Sequence, residues 1–245
     1  MISVTILTKN SSATLLPVLQ STASFNEVVL IDTGSTDDTL DIAKVFCNVK
    51  IYKRPFKAFG ALRIEAAQLA SHDWVLALDS DEVLTPELAR EILELNLDPS
   101  TIYGFSFHNF FKNKRIRHCG WSPDKHLRLY NKLSTNFSNA NVHECIEKKN
   151  LKVKFLKFNV NHYSYQNMGD FLRKMQLYSD LFAQQHKSEK HSSFFKAWVH
   201  SFFAFFKTYI LKLGFLDGKE GYIIAKYNSH VAWYKYLKLE EEGSS

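Results

Sequence analysis

The chain has 245 residues, 45% of them hydrophobic, which suffices for one large domain, or for one domain with a smaller extension. Its three cysteines, Cys47, Cys119 and Cys145, show no CxxC spacing, which argues against a disulfide scaffold or a zinc site and for reduced thiols. The net charge of +6 favours anionic partners such as phosphates, nucleotides or acidic lipid. Across residues 1–165 the basic residues form no stripe interleaved with stacking aromatics, which counts against nucleic acid.

Strand and helix patterns alternate through residues 1–97. Residues 2–8 are β-rich, and 11–20 read as helix, with Pro17 an obstacle. Residues 27–32 form the second predicted strand. Ser35 reads as an N-cap, with Asp38 in capping-box position ahead of Leu40, Ala43 and Phe46. A short strand follows at 49–53, a helix at 59–70 and a fourth strand at 74–79. Thr85-Pro86 opens another helix, Thr as cap and Pro in the first turn. The alternation predicts a parallel sheet with helices on both faces and right-handed crossovers.

After Leu97 the pattern changes. Tyr103, Phe105 and Phe107 share one strand face. Leu127 and Leu129 alternate with His126, Arg128 and Tyr130. Leu156, Phe158 and Val160 share another face, and His162 beside them reads as a core histidine. From Asn167 the chain is helical, with Asn167 as cap, Asp170 in the first turn, and a stripe of Phe171, Met175, Tyr178 and Phe182. Residues 184–193 are a polar break. Residues 194–213 are rich in Phe, Trp and Tyr but hold Lys196, His200, Lys207 and Lys212, too much charge to span a bilayer comfortably. This stretch is either a core helix or a helix in the headgroup plane. The last helix covers 219–239, and 240–245 read as a disordered tail. The expected division is an α/β domain at 1–165, a helical extension at 166–239 and the tail.

The fourth strand ends in Asp79-Ser80-Asp81-Glu82. Carboxylates spaced one residue apart repel unless a cation lies between them, and hard oxygen ligands suit Mg²⁺ or Mn²⁺, which pair with substrate phosphates. Ligands of open α/β sheets bind beyond the carboxyl ends of strands. The segment is therefore a candidate metal-diphosphate site, the alternative being a solvated turn. Thr8-Lys9-Asn10 and Thr33-Gly34-Ser35-Thr36-Asp37 follow strands one and two on the same rim, so three loops predict a nucleotide pocket. Asp32 can accept a hydrogen bond from a ribose or base. Gly34 permits close backbone approach, and the helix after Ser35 offers free N–H groups. Ser35 and Thr36 read better as turn and cap.

Val4-Thr5-Ile6-Leu7-Thr8-Lys9-Asn10, Leu30-Ile31-Asp32-Thr33-Gly34-Ser35-Thr36-Asp37 and Asp79-Ser80-Asp81 together resemble a family 2 glycosyltransferase with the GT-A fold. His118-Cys119-Gly120-Trp121-Ser122-Pro123-Asp124, Leu127-Arg128-Leu129-Tyr130, Val142-His143-Glu144, His162-Tyr163-Ser164-Tyr165 and Leu213-Gly214-Phe215-Leu216-Asp217-Gly218 are similar to one branch of it. That branch comprises bacterial enzymes of lipopolysaccharide core assembly, several of them β-glucosyltransferases acting on inner-core heptose. The resemblance implies an α/β fold of GT-A (Rossmann-like) type: a mixed, mainly parallel sheet flanked by helices, with a helical C-terminal extension. It implies inverting transfer of a hexose, glucose, from a UDP-sugar donor to a lipopolysaccharide core saccharide or another lipid-linked or protein acceptor. It also implies a divalent cation, Mg²⁺ or Mn²⁺, as cofactor. Asp81 would ligate the metal, and Asp79 would sit near the ribose or the metal and its waters. Asp32 matches the first Asp of the family's Asp-Asp pair. The second is Thr33 here, a departure that puts uracil selectivity in doubt. Thr8 and Asn10 would line the nucleotide cleft, and Arg63 would reach a phosphate.

Inverting transfer needs a carboxylate to take the acceptor's hydroxyl proton, and a metal to stabilise charge on the leaving group. Asp124 is the expected base, with Gly120 and Trp121 as a sugar platform. As a residue after Pro123, Asp124 also fits a plain turn. Glu144 rivals it as base, binds acceptor or holds His143, and His143 is a candidate further metal ligand. Arg128 binds a phosphate or is a surface strand arginine. Cys119 and Cys145 read as buried apolar fillers. A lipid-anchored acceptor gives reason for a cytoplasmic protein peripheral on the inner face of the cytoplasmic membrane, and oligomer contact stays open. A nucleotidyltransferase shares the acidic α/β site but usually carries a Gly-rich basic loop, for which only Lys9 and Gly34 are available. A non-catalytic membrane adaptor is the other alternative.

Overall fold

The computed structural model describes residues 1–139, 144–187 and 191–243. β1 (Ile2–Thr8), β2 (Glu27–Asp32) and β4 (Trp74–Asp79) are buried along nearly their whole length, as uninterrupted apolar runs require. With β3 (Val49–Lys53) they pair in parallel in the order β3-β2-β1-β4. The sheet continues through β8 (Lys125–Asn131), β6 (Thr101–Phe111), β9 (Lys152–Tyr165) and β5 (Glu82–Leu84). β8 is antiparallel to β4 and β6, and β5 is antiparallel to β9. β7 (Lys114–Arg115) forms a hairpin with the end of β6. The expected mixed sheet flanked by helices is present.

The chain divides into two compact units. The first takes in Met1–Phe107 and Asp124–Tyr163, the second His108–Pro123 and Ser164–Ser245. Residues 108–123 thus belong with the C-terminal part, unlike the expected single cut at 165.

In the first unit, strand periodicity sorts the core into two layers. Val4, Ile6, Leu76 and Leu78 face a cluster built with α1 (Leu15–Ser21), α2 (Thr39–Lys44) and α4 (Pro86–Glu94). Val29, Val75 and Ala77 face Ala67 of α3 (Phe59–Leu69) on the other side, where Ile31 packs on Leu62 and Ala66. Pro17 is tolerated because it is the third residue of α1, where an N–H has no intrahelical partner. Thr85 caps α4 as expected, its hydroxyl accepting the Leu88 N–H at 3.3 Å. Ser35 does not cap α2, which starts at Thr39. Its hydroxyl accepts the Asn10 N–H at 2.8 Å instead.

The alternation expected through Leu127 and Leu129 breaks. Tyr103 of β6 pairs with Leu129, but Gly104 pairs with Leu127, so Arg128 is the extra residue of a β-bulge. Leu129 joins one core layer and Leu127 packs against the other.

In the second unit α5 (Met168–His186) and α7 (Gly218–Gly243) pack with the β7 hairpin around Phe111, Ile116, Cys119, Phe171 and Ile224, and α6 (Phe194–Phe206) packs on α7. Asn167 and Asp170 form a capping box on α5. Tyr178 of the expected stripe faces outward, and α5 buries Ser179 and Ala183 beyond Phe171. A π-helical turn, Lys207–Leu211, and a 3-10 turn, Gly214–Asp217, lead from α6 into α7. A Cβ on Gly221 would lie 1.8 Å from the Gly214 carbonyl oxygen, so this crossing admits only glycine. The Asp217 carboxylate accepts the N–H groups of Arg117 at 3.2 Å and His118 at 2.8 Å. Two of the motifs behind the branch resemblance therefore pack against each other. Cys119 is buried as expected, with burial pushing its thiol up to about 12, but Cys145 is exposed. α7 continues through Gly243, into the segment expected as a tail, anchored by buried Leu239 and by Glu242, 3.7 Å from Lys187.

Candidate functional site

Parallel pairing sets three strand ends level: Thr8 lies opposite Asp32, and Leu7 opposite Asp79. The loops beyond them interlock. Asn10 takes a left-handed backbone, φ 51°, and its side-chain oxygen accepts the Thr36 N–H at 2.8 Å. The Asp32 carboxylate accepts from the N–H groups of Gly34 at 3.2 Å and Ser35 at 3.1 Å. Gly34 has φ +101°, which only glycine adopts readily. Ser11 and Ser80 hydroxyls meet at 2.8 Å and tie the first loop to the acidic one. Asn10 and Asp32, expected to touch a nucleotide, thus first of all build the wall. Thr33 donates to the Thr8 carbonyl at 3.2 Å, while the buried Thr8 hydroxyl has no partner among the described residues.

Beneath the rim lies a charged cluster. Arg63, on α3, is 1% exposed. It donates to the Leu78 carbonyl at 2.8 Å and to Asp79 Oδ1, and its guanidinium lies 5.6 Å from the Phe137 ring centroid. Arg63, expected to reach a phosphate, is here buried and paired with Asp79. Arg128, re-aimed by the bulge, donates to Asp79 Oδ2 at 3.0 Å and to Glu82 Oε1 at 2.5 Å. It is not a surface arginine: it is largely buried, and its Nη2 is shared between the two carboxylates. Glu82 is 1% exposed, and its other oxygen accepts the Asp79 N–H at 3.0 Å.

Burial alone would raise the pKa of Asp79, yet Arg63 and Arg128 hold it well below the usual carboxylate range. For Glu82, burial outweighs Arg128, and with Asp79 adding to the rise the group is pushed up to about 7. Asp81 lies 3.5 Å from His162 Nε2. Burial would lower His162, but Asp81, with Glu82 and Asp79 behind it, raises it instead. His162 is therefore no inert core histidine.

One ring gathers these groups. Arg128 lies 5.5 Å from the Phe107 centroid, and His162 and His126 meet the same ring edge-on at 6.1 and 4.9 Å. His126 Nε2 is 2.7 Å from Asp124 Oδ1, and the Asp124 carbonyl accepts the Phe107 N–H at 2.8 Å. Asp124, Asp81 and the Asp79–Arg128–Glu82 cluster are thus brought around Phe107 from three different strands. Glu144 lines a cavity of about 660 Å³ with His126, Arg128, Phe137 and Phe155. His143 lies outside the described residues. Trp121, the expected sugar platform, belongs to the second unit, where it stacks on Tyr165 at 5.3 Å.

Among the described residues no three His, Cys, Asp or Glu are grouped to hold a metal by themselves. Both Asp79 oxygens, expected near a metal, accept from arginine in this structure. Asp81 is the remaining rim carboxylate of the pair. A Mg²⁺-like cation takes one or two carboxylates and completes its shell with water and substrate phosphate. The donor set fits a cation that arrives with a diphosphate, not a self-standing metal centre.

Glu82, His126 and His162 had no site role in the sequence reading. A signal existed for Glu82, since Glu82-Val83-Leu84 alternates as a strand with Glu82 on the side of buried Leu84. None existed for His126.

The family described as Glycosyl transferase family 2 matches residues 3–157. An uncharacterized glycosyltransferase of Rickettsia conorii is 28% identical over 254 residues, covering 98% of this chain and 90% of its own. One from Rickettsia felis is 27% identical, covering 98% and 89%. Among solved structures, the mannosyltransferase PcManGT from Pyrobaculum calidifontis, in complex with GDP-Man and Mn²⁺, aligns with a TM-score of 0.51 at 12% identity, covering 93% of this chain and 73% of that one. That likeness concerns the fold, which is of the expected GT-A type.

Proposed function

The chain belongs to glycosyltransferase family 2, and on that premise we propose that it is a metal-assisted, inverting transferase with Asp124 as its base. The donor is a nucleotide sugar, lying on the rim formed by the loops after Thr8 and Asp32. The acceptor hydroxyl attacks the anomeric carbon, the bond from that carbon to the diphosphate oxygen breaks, and the diphosphate leaves with the electron pair. The hydroxyl proton passes to the Asp124 carboxylate, which His126 orients at 2.7 Å. Asp81 would hold a divalent cation together with the donor diphosphate, and such a cation would supply stabilisation of leaving-group charge. Arg63 and Arg128 keep Asp79 ionised and fix the strand end that carries Asp81. Glucose as the sugar and a lipopolysaccharide core saccharide as acceptor rest on the motif resemblance across residues 118–218.

The single observation carrying this reading is the gathering of Asp124–His126 and Asp81–His162 around one buried Phe107 ring. Glu144 is the second candidate base, because it shares a cavity with His126. The test is turnover of UDP-glucose to UDP, by hydrolysis or transfer, with Mn²⁺ and with chelator. Asp124→Asn should lower transfer by about 10²- to 10⁴-fold, the usual worth of a general base, with donor binding retained. Near-normal transfer by Asp124→Asn alongside loss in Glu144→Gln would move the base to Glu144.

A further inference from the structure

α6 is built inside out. Ala197, Ser201 and Ala204, continued by Thr208 in the π-helical turn, recur at spacings of four, three and four, which sets them on one face. That face of small residues is turned inward. Ala197 and Thr208 are buried, the Ser201 hydroxyl lies 2.8 Å from that of Ser229 on α7, and Asn228 donates to the Thr208 hydroxyl at 3.1 Å. The opposite face carries Phe195, Trp198, Phe202 and Phe206, with exposures from 39% at Phe206 to 71% at Phe195. A helix of a water-soluble surface has the reverse arrangement, large apolar residues inward and polar ones outward. Phe203, Leu211, Phe215 and Leu216 in the same segment are exposed as well, and large exposed apolar patches mark interaction sites.

Charge selects what covers it. Across residues 194–216 the charged side chains are Lys196, Lys207 and Lys212, with no Asp or Glu. The next acid, Asp217, is buried and held by the Arg117 and His118 N–H groups. A second copy of so basic a face would meet it with like charge. Anionic headgroups over an acyl boundary match both its lysines and its aromatic rings, which favour that boundary. Among the described residues no single helix is long and apolar enough to cross a membrane; the segment Phe194–Leu211 and α7, bent by 70° between them, reach that length and composition only as a pair.

We propose that this face docks on an anionic phospholipid surface, with Phe195, Trp198, Phe202 and Phe206 at the headgroup–acyl boundary and Lys196 and Lys207 against lipid phosphates. The inference is independent of the transferase reading, since the test contains neither nucleotide nor saccharide. The full chain is sedimented with vesicles of equal parts phosphatidylglycerol and phosphatidylcholine, and with pure phosphatidylcholine. Wild type should bind the anionic vesicles about tenfold or more tightly than the neutral ones. F195S/W198S/F202S, melting as wild type, should lose at least about tenfold in affinity for the anionic vesicles. K196E/K207E, which keeps every ring, should lose the preference for phosphatidylglycerol and serves alone if the triple variant does not fold. Wild type left in the supernatant with both vesicles would overturn the proposal, as would a folded triple variant or a K196E/K207E variant that binds like wild type. A lipid-free dimer seen by light scattering and abolished in the triple variant would assign the face to a second copy instead.

Discussion

Two buried glutamates mark opposite rims of the same sheet. Glu27 opens β2 and is 4% exposed; Glu82 follows the end of β4 and is 1% exposed. Burial acts on both alike, raising the pKa, and their neighbours decide the outcome. Glu27 accepts from Lys50 Nζ, the Ser71 N–H and the Ser71 hydroxyl at 2.7 Å and from the Ser3 hydroxyl at 2.5 Å, and these donors bring it from 4.5 down to about 2. Glu82 also has an arginine and a backbone N–H, yet it shares that arginine with Asp79 and lies near Asp81, so it rises to about 7. The first carboxylate has donors enough to offset its burial; the second, with Asp79 and Asp81 beside it, does not. Burial alone thus does not distinguish a structural acid from one at a site, whereas local charge balance does.

The sharpest way to break this contrast is to remove the shared cation. Arg128→Met leaves Glu82 without its cation and Asp79 with Arg63 alone, and should cost about 3–5 kcal/mol in urea unfolding, the usual price of an orphaned buried charge. A cost below about 1 kcal/mol would mean the cluster holds itself without Arg128. Next in size, Glu27→Gln should cost about 1.5–3 kcal/mol, as expected for hydrogen bonds to a charged group, with turnover per folded molecule unchanged. Because the folded pKa of Glu27 lies below its ordinary value, its contribution is present above pH 4.5 and is lost as pH falls to about 2. Acid melts should therefore show Glu27→Gln converging on wild type at low pH. Glu82 works with the opposite sign. Its raised pKa favours the fold below pH 4.5, and that contribution is lost as pH rises through about 7. Glu82→Gln should flatten the decline in Tm over that window, by about 2–4 °C for each kcal/mol removed. Parallel wild-type and Glu82→Gln profiles from pH 4.5 to 7 would contradict a raised Glu82 pKa.

Legibility differed by region for a physical reason. Local rules carried the parallel half well: the apolar runs at 2–8, 27–32 and 74–79 are strands, and Thr85 caps its helix. The rim position of Thr8, Asp32 and Asp79 followed, because strand ends and loops are local features. The ion pairing of Arg63 and Arg128 with Asp79 did not follow. Period-two alternation has no symbol for the bulge at Arg128, which is specified by pairing with β6 rather than by its own neighbours. His162 matched the apolar face beside Val160, but Asp81, its partner, lies eighty-one residues away along the chain. The π-helical and 3-10 turns after α6 were likewise invisible in a pattern that reads as one helix.

Residue order on its own settled the order of strands and helices, the rim of acidic and hydroxyl residues, and the family, because each is written in near-neighbour periodicity or a short motif. Folding decided which carboxylate each arginine neutralises, which histidines join the cluster, and that the aromatic face of α6 points outward. Those are properties of pairs far apart in sequence, and only the packed chain brings them within the few ångströms over which charge and contact act.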